Sequence, residues 1–377
     1  MKQIAGLKII PLILLISSYS LSVAQTSEPK VISLDDAVNM ALSNHPSAKN
    51  AELLLMAAKT VKTGGVYLNS TEIIWEKGQI NSPVNDNTFS ISQNLGSPLT
   101  HIRQNQIAKS QVELAETSQK ITQKQLVASV KEAYFSWVFQ FSYNDLLEYE
   151  TMLYDDFHRI AQLHFEQGNN NLMEKTMAEL RVAESQRKQI VAEEQLKIET
   201  NRLNRFIYSE GPYAPVQKEL ELYGIRFPEN MEDKFYPFTF KDYFQQQVQQ
   251  KNLELGLEKS KYFPEFRVGY FQQDIASLKN LRGFQVGVVF PIWFFPQAAR
   301  VKESKLKRDI ALNQVTLQTY ELEQSIDDLK IKLDQAFINI IYYRENALNQ
   351  ADLLINTTAL KYQNGEIEYM EYLQNIS

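Results

Sequence analysis

The residues with the clearest capacity for chemistry lie in two similar segments, HFEQGNNNLME and KYQNGEIEYME, which each carry acidic and sulfur-containing side chains near a glycine. Carboxylates favour cations and thioethers suit Cu(I), so these segments are candidate cation or metal sites. Two structural alternatives stay open, because Asn171 followed by Glu174 is typical of a helix start and methionine at helical spacing usually packs. The candidates are Glu174, Glu368, Glu371, Met173, Met177 and Met370.

No other set of side chains forms a recognisable catalytic or metal-binding pattern. His158 and His164 are six residues apart and do not share a helical face at ligand spacing, and His45 and His101 have no partner in the sequence. The sequence has no glycine-rich phosphate loop, no HExxH motif and no G-x-S-x-G motif. We therefore predict that the protein is not an enzyme, uses no cofactor and has no metal site.

Composition excludes several further classes of protein. The net charge of −6 disfavours nucleic-acid binding. The lack of cysteine excludes disulfides, zinc–thiolate sites, cysteine nucleophiles and a lipid anchor on cysteine. The 13 glycines and 12 prolines are few for 377 residues, as expected for a mostly helical chain.

The largest pattern in the sequence occurs twice. A β-hairpin-like stretch leads into a helix-like stretch of more than sixty residues, which ends at an aromatic-x-x-Gly. The copies run from Arg103 to Gly168 and from Arg300 to Gly365, so both ends are offset by 197 residues. Such a helix spans roughly 100 Å, which suits a rod or a tunnel wall better than a globular core.

The duplication predicts two structural repeats joined by a proline-rich linker at 208–240. The first repeat, 31–207, begins with a helix capped by Ser33 and Asp36 and interrupted at Asn44-His45-Pro46. It continues with a β-hairpin at 66–97, a long helix at 99–165 and a helix at 172–206. The second repeat, 241–377, comprises a helix, a β-hairpin at 263–294, a long helix at 296–362 and a shortened last helix.

The second long helix carries a heptad seam, which an isolated two-stranded coiled coil would also explain. The helical pattern continues for almost forty residues after Gly168, but only twelve residues follow Gly365. We therefore expect a truncated chain that lacks most of its last helix. The seam consists of Leu322, Ile326, Leu329, Leu333, Ala336, Ile340, Tyr343 and Ala347.

The N-terminal segment, residues 1–24, is typical of a secretory signal peptide. Lys2 and Lys8 precede a short apolar core, and Ser22-Val23-Ala24 offers small residues before a cleavage point. A transmembrane anchor is the alternative, although the apolar run is short for about 20 residues of bilayer core. Because no other segment is long and apolar enough to span a membrane as a helix, any insertion must use β-strands.

The four predicted strands pose a closure problem. Four short strands cannot close a barrel, and an open sheet edge cannot face lipid. Three copies supply twelve strands, which is within the range of natural membrane barrels. Trp75 and Trp293 lie in the predicted strands, as expected for the aromatic girdles of such a barrel. A soluble β-layer with an aromatic core is the alternative.

The ordered set of motifs resembles the TolC-like outer-membrane efflux proteins. The matching segments are ISLDDAVNMALSNHP, the two hairpins, and the tips LHFEQGNNNLMEKTMAE and LKYQNGEIEYMEYLQ. The first segment fits L-x-x-A-x-x-x-A-x-x-N-P through Leu34, Ala37, Ala41 and Asn44, with His45 inserted before Pro46. The hairpin YLNSTEIIWEKGQINSPVNDNTFSISQNLG is similar to the heavy-metal branch, of the CusC and CzcC type.

This resemblance implies a mainly α chain with a β-barrel part. Long antiparallel α-helical hairpins would form an α-barrel tunnel, and four strands per subunit would form a 12-stranded transmembrane barrel in a homotrimer. The implied function is passive export through the outer membrane, with a periplasmic helical portion that docks to a periplasmic adaptor (membrane fusion) protein and serves an inner-membrane RND-type transporter. The cargo would be metal cations or drugs.

The resemblance also assigns a role to the acidic residues. Gly168 and Gly365 would form the periplasmic tip turns, and Glu174, Glu368 and Glu371 would line the entrance as a ring that favours cations. A function of another class stays open: a periplasmic adaptor or structural coiled-coil protein without a pore. Adaptors carry one α-hairpin between β-domains, whereas this sequence predicts two hairpins and paired short strands.

Overall fold

The computed structural model describes residues 29–64, 68–167, 172–216, 238–364 and 366–376. The predicted signal peptide at 1–24 lies outside these residues. The described chain is mainly helical and has few strands, as expected. Its helices are α1 Leu34–Asn44, α2 Pro46–Thr63, α3 Pro98–Glu166, α4 Leu172–Ile207, α5 Phe238–Ser260, α6 Phe295–Tyr342, α7 Leu348–Gln363 and α8 Tyr369–Ile376. Its strands are β1 Lys30–Ile32, β2 Glu72–Gly78, β3 Asp86–Gly96, β4 Tyr213–Pro215, β5 Glu265–Ile275 and β6 Leu278–Val289.

The first two helices begin where local sequence signals place them. The Ser33 hydroxyl accepts a hydrogen bond from the Asp36 N–H at 3.1 Å, and the Asp36 carboxylate accepts one from the Ser33 N–H at 3.0 Å. This reciprocal pair confirms the predicted capping box. His45 separates α1 from α2 and caps the second helix, since its Nδ1 accepts from the Ser47 N–H at 3.2 Å.

The central core lies between α3 and α4, which form an antiparallel hairpin. Trp137 is fully buried, and its indole N–H donates to the Thr200 hydroxyl at 3.0 Å. The Gln140 amide donates to the buried Ala192 carbonyl at 3.1 Å. The predicted apolar stripe of α3 is buried in this core, and it comprises Leu126, Val130, Ala133 and Trp137.

A parallel pair of three-residue strands closes this core, and the sequence did not predict it. Strand β1 pairs with β4, so Ile32 stands opposite Pro215. Buried Ile32 accepts a hydrogen bond at its carbonyl from the Tyr134 hydroxyl at 3.2 Å. Strand β4 lies within the predicted linker at 208–240, where a non-local partner supplies its hydrogen bonds. Residues 217–237 lie outside the described chain.

The second repeat packs along the first through α5, which contacts both α3 and α6. The Gln297 amide ties the start of α6 to α5 by donating to the Glu258 carbonyl at 2.6 Å. The predicted long helix at 296–362 is interrupted by a π-helical turn at Tyr343–Ala347, which separates α6 from α7. In the predicted heptad seam, Leu329 of α6 and Tyr343 of the π-helical turn are 64% and 58% exposed.

Strands β2, β3, β5 and β6 form one antiparallel sheet in that order. The central pairing joins the two repeats, since β3 lies beside β5 with Ile91 opposite Tyr270. Among the described residues the outer edges of β2 and β6 have no neighbouring strand. The sheet is therefore open at both sides.

The register divides the sheet into an apolar face and a polar face. Phe284 and Val286 of β6 point to the same side as their partners Tyr270 and Val268 on β5. Phe284 is 85% exposed and Val286 is 80% exposed, although both are large and apolar. The apolar face comprises Ile73, Trp75, Phe89, Ile91, Phe266, Val268, Tyr270, Phe284, Val286 and Val288.

Two strand boundaries differ from the prediction. The first hairpin was expected to start at residue 66, but β2 begins at Glu72 and residues 65–67 lie outside the described chain. The strand predicted to end at residue 294 ends at Val289, because the chain bends at Ile292 and α6 begins at Phe295. Trp293 consequently lies between the strand and the helix. No helix in the described ranges has the length and apolarity needed to cross a membrane.

Gly283 provides a test of the sheet register. It faces Phe271 on the polar face, where an added Cβ would overlap the Phe271 ring. We expect Gly283→Ala to destabilise the folded sheet by about 1–3 kcal/mol through overpacking. Gly287→Ala is the matched control on the same strand, since its Cβ would meet only Arg267 Cβ at 3.9 Å.

Thermal unfolding followed by the strand signal in circular dichroism measures this difference. Gly283→Ala should melt at a lower temperature than Gly287→Ala, and adding Phe271→Ala should restore part of the loss. Equal melting of the two glycine variants would show that Phe271 does not lie over Gly283.

Candidate functional site

The candidate acidic and sulfur-containing residues lie where the helical hairpins end. The end of α3, the start of α4, the end of α7 and α8 meet in a small apolar cluster, which we call the tip cluster. Partly buried Tyr362 and Ile367 pack against it. The tip cluster comprises Tyr154, Phe157, Ala161, Ala178 and Tyr372.

Tyr372 holds the tip cluster together. Its ring stacks on Tyr362 with 4.6 Å between centroids and contacts the edge of Phe157 at 5.2 Å. Tyr372 is 8% exposed, and this burial raises the pKa of its hydroxyl. Burial also raises the pKa of Tyr362, with a smaller contribution from the charge of Glu174. The aromatic rings thus join α8 to α3 and place the acidic residues around an apolar centre.

The structure brings two of the three candidate acids together. Glu174, in the first turn of α4, interacts electrostatically with Glu368, which precedes α8. Glu371 lies in the first turn of α8 and is exposed. The predicted tip turns, Gly168 and Gly365, and the alternative cap residue Asn171 lie outside the described residues.

Glu174 has an unusual environment for a carboxylate. It is partly buried, and its Oε2 atom is buried without a hydrogen-bond partner among the described residues. Desolvation is the main cause that raises the pKa of Glu174, followed by the charge of Glu368, while His164 opposes the shift. Like charges that share a partly desolvated position disfavour ionisation. Glu174 is therefore disposed to hold a proton or to attract a cation.

Sequence reasoning missed the role of two histidines here. His164 on α3 is an electrostatic neighbour of Glu174 on α4. His158 lies 3.7 Å from the Glu179 carboxylate, which also pairs with Lys175 at 3.7 Å. These partners are on the other arm of the hairpin, so spacing along one helix could not reveal them. The sequence did hold one signal: residues at similar distances from the turn on the two arms of a helical hairpin lie side by side.

The methionines give no support for a metal relay. Met173 is 57% exposed at the start of α4, and Met177 is one turn further on and partly buried. The Met370 side chain lies outside what the structure describes. In the described ranges, no three histidine, aspartate or glutamate side chains are grouped to hold a metal ion.

A second polar group lies on the polar face of the sheet, at its helix-side end. Glu265 accepts a hydrogen bond from the Asn94 amide at 2.9 Å, and Glu72 accepts one from the Ser92 hydroxyl at 3.2 Å. Glu72, Ser92, Asn94 and Arg267 border an open cavity of about 430 Å³. The group mixes both signs of charge and has no pattern typical of catalysis.

The fold and the tip geometry define a class of structure: a small open sheet joined to the long α3–α4 hairpin and to a second long helical segment, α6 and α7, which is followed by the short helix α8. Solved outer-membrane channels share it. The chain superposes on CusC, whose structures concern folding and transmembrane channel formation, with a TM-score of 0.75 and 15% identity over 94% of this chain and 89% of CusC.

Two further solved structures have the same fold. The CmeC outer membrane channel of Campylobacter jejuni matches with a TM-score of 0.73 and 15% identity, over 91% of this chain and 79% of CmeC. The outer membrane protein VceC of Vibrio cholerae matches with 0.71 and 14%, over 91% and 89%. Comparison with known family models and with curated protein sequences finds no match. The likeness therefore concerns the fold.

Glu174 predicts a pH dependence of the tip. Because its folded pKa is raised, the folded tip binds a proton more tightly than the unfolded chain does. Protonated Glu174 therefore stabilises the folded tip at pH values below the ordinary carboxyl pKa. This stabilisation is lost as the pH rises through the raised pKa of the folded state. Hydrogen exchange of peptides from α4 should therefore speed up across this window, after correction for the intrinsic rate.

The matched variants are Glu174→Gln and Glu184→Gln. Glu174→Gln should flatten the pH dependence, because the amide stays neutral at every pH. Glu184 lies on the same helix in an exposed pair with Arg181, so its substitution should leave the dependence unchanged. An unaltered pH profile in Glu174→Gln would show that another group titrates.

Tyr372 provides a second test of the tip. Tyr372→Ala removes the ring between Tyr362 and Phe157, and a buried aromatic-to-alanine change costs about 3–5 kcal/mol. The amides of α8 should then exchange much faster, whereas Tyr372→Phe keeps the ring and should retain most protection. Equal exchange in both variants would contradict the docking of α8.

Proposed function

We propose that this chain is the outer-membrane channel subunit of a tripartite efflux system. Three copies form a passive conduit from the periplasm to the exterior. The sheets combine into a 12-stranded transmembrane barrel, and the helical hairpins form a tunnel in the periplasm. The proposal assigns the chain no enzymatic chemistry. The observation that carries it is the sheet, which exposes one apolar face and leaves both outer edges without a partner among the described residues.

The apolar face supports a lipid environment for the sheet. Large side chains such as Trp75 and Phe284 are 70% and 85% exposed on one side, while the other side carries glutamate, serine, glutamine and arginine. Alternation of apolar and polar side chains along each strand is typical of a barrel with lipid outside and water inside. A soluble β-layer would cover this face with protein.

The open edges support a closed assembly of several copies. Backbone groups at a sheet edge cannot remain unpaired in hydrocarbon, so β6 of one copy must pair with β2 of the next. Three copies give twelve strands, which suits a membrane barrel. The same closure arranges six helical hairpins as a tunnel wall and leaves the tips as the docking surface for an adaptor protein and an RND-type transporter.

The fold also weighs against the alternative of an adaptor or coiled-coil protein without a pore. Such a protein has no need of an apolar sheet face. The likeness to solved outer-membrane channels extends over more than nine-tenths of this chain, sheet and hairpins together.

We further propose that Glu174, Glu368 and Glu371 form an acidic entrance at the tips. Glu174 and Glu368 interact, and Glu371 is exposed on the adjoining helix. Threefold repetition gives a ring of carboxylates that favours cations. The cargo is then a metal cation or a cationic drug, and sensitivity of a deletion strain to each class separates these two.

Planar-bilayer recording tests the channel and the ring together. The protein should form conducting pores, and Glu371→Ala should lower cation selectivity several-fold, because one charge at 4 Å contributes about 1 kcal/mol even in water. Glu174→Ala with Glu368→Ala should act in the same direction. Glu116→Ala is the control, because Glu116 pairs with Lys59 at 3.5 Å between α2 and α3, away from the tips.

The outcomes separate the two parts of the proposal. Absence of conducting pores from the folded protein argues against the channel. Pores whose conductance and cation selectivity are the same in Glu371→Ala, in the double variant and in the control argue against the ring alone.

A further inference from the structure

One aromatic side chain interrupts the polar face of the sheet. Successive side chains of a strand point to opposite sides, so Phe271 of β5 lies on the polar face together with Arg267 and Gln273. It is the only aromatic residue on that face in the described strands, since the others lie on the apolar face. The polar face therefore carries a single large apolar ring at a defined place.

The Phe271 ring packs against the sheet. Its neighbours on strands β3 and β6 are Ser90, which has a small side chain, and Gly283, which has none. Ring carbons of Phe271 occupy the space that a Cβ of Gly283 would fill. The side chain nevertheless remains partly exposed. Packing over the glycine thus holds the ring in place and leaves part of its aromatic surface open on the polar side.

The internal duplication repeats an apolar side chain at this level of the sheet. With the offset of 197 residues, Phe271 corresponds to Ile74. Ser90 stands opposite Ile74 on one side and opposite Phe271 on the other, so the three residues lie in one row across the polar face. The first repeat thus has an aliphatic side chain where the second has an aromatic ring. Only the ring can stack on a planar partner.

Two exposed carboxylates flank the row that contains Phe271. Glu72 and Glu76 lie on the polar face, one on each of the two adjacent rows. The basic residue of this region is Arg267, which lies two rows from Phe271 and is accompanied by Glu265. The surface next to the ring is therefore acidic, and it attracts cations.

We propose that Phe271 is a stacking platform for planar aromatic cations that pass along the polar face. This inference rests on the proposed function, because the polar face lines a conduit only if the strands close into a barrel. The open side of the ring stacks on a planar solute and attracts its positive charge. The flanking carboxylates favour the same charge. Three copies of the chain place three such platforms in one conduit.

Block of single pores in planar bilayers tests the platform. The full chain is recorded with N-methylacridinium, a planar aromatic cation, and separately with tetrapropylammonium, a cation of the same charge without rings. The ratio of the two half-blocking concentrations is called the ring preference. Because both probes carry one charge, the tip acids affect both alike. The unmodified pore should be blocked by the acridinium at a concentration about three- to tenfold lower.

Three variants locate the ring preference. Phe271→Leu removes the ring but keeps an apolar side chain, so the preference should disappear. Phe271→Trp enlarges the aromatic face and should raise the preference about twofold. Phe89→Leu is the matched control, because it makes the same change on the neighbouring strand β3 but on the apolar face, and it should leave the preference unchanged. Conductance without a probe shows that each variant assembles.

Each outcome bears on the platform. A ring preference that disappears in Phe271→Leu and persists in Phe89→Leu supports it. Equal block of the unmodified pore by the two probes, or a preference that survives in Phe271→Leu, overturns the platform and leaves the channel proposal intact. If Phe271→Leu forms no pores, Phe271→Trp decides: a raised preference supports the platform and an unchanged one overturns it. Folded unmodified protein that forms no pores overturns both proposals.

Discussion

The constraint on which the rest depends is the pairing of backbone hydrogen bonds along the outer edges of β2 and β6. In the described chain these edges have no strand beside them, and the adjoining face is apolar and exposed. Water can hydrogen-bond to the edge strands but leaves the apolar face in contact with water. Lipid covers the apolar face but leaves the hydrogen-bonding groups of the edge strands unpaired. Closure with other copies in a membrane satisfies both, which is why we favour an assembled channel over a soluble monomer.

The helices differ in how much of their apolar surface is buried within one chain. The α3–α4 hairpin packs in a core around Trp137, where the Trp137 indole donates to Thr200 and the Gln140 amide donates to the Ala192 carbonyl. The heptad seam is exposed at Leu329 of α6 and at Tyr343 of the π-helical turn. Apolar surface of this kind is expected where neighbouring hairpins of an assembled tunnel pack. The helices and the sheet therefore both expose apolar surface that neighbouring copies would cover in the proposed assembly.

The parts of the fold that follow from local signals were predictable from the sequence. The Ser33–Asp36 cap and the α3 stripe ending at Trp137 depend on neighbours within one or two turns. The β1–β4 pair joins segments about 180 residues apart, so no local pattern encodes it. Likewise Glu174 meets His164 and Glu368 only because three elements converge. The π-helical turn in the second long helix has no residue pattern that distinguishes it in the sequence.

The two repeats show how one plan serves different surroundings. Both begin with a strand hairpin and continue into a long helix, but the first turns into its helix through buried Ser97 and the second through exposed Phe294. At the far end, the helix of the first repeat is regular to Glu166, whereas that of the second includes a π-helical turn. Duplication supplies matching lengths, which a closed assembly requires.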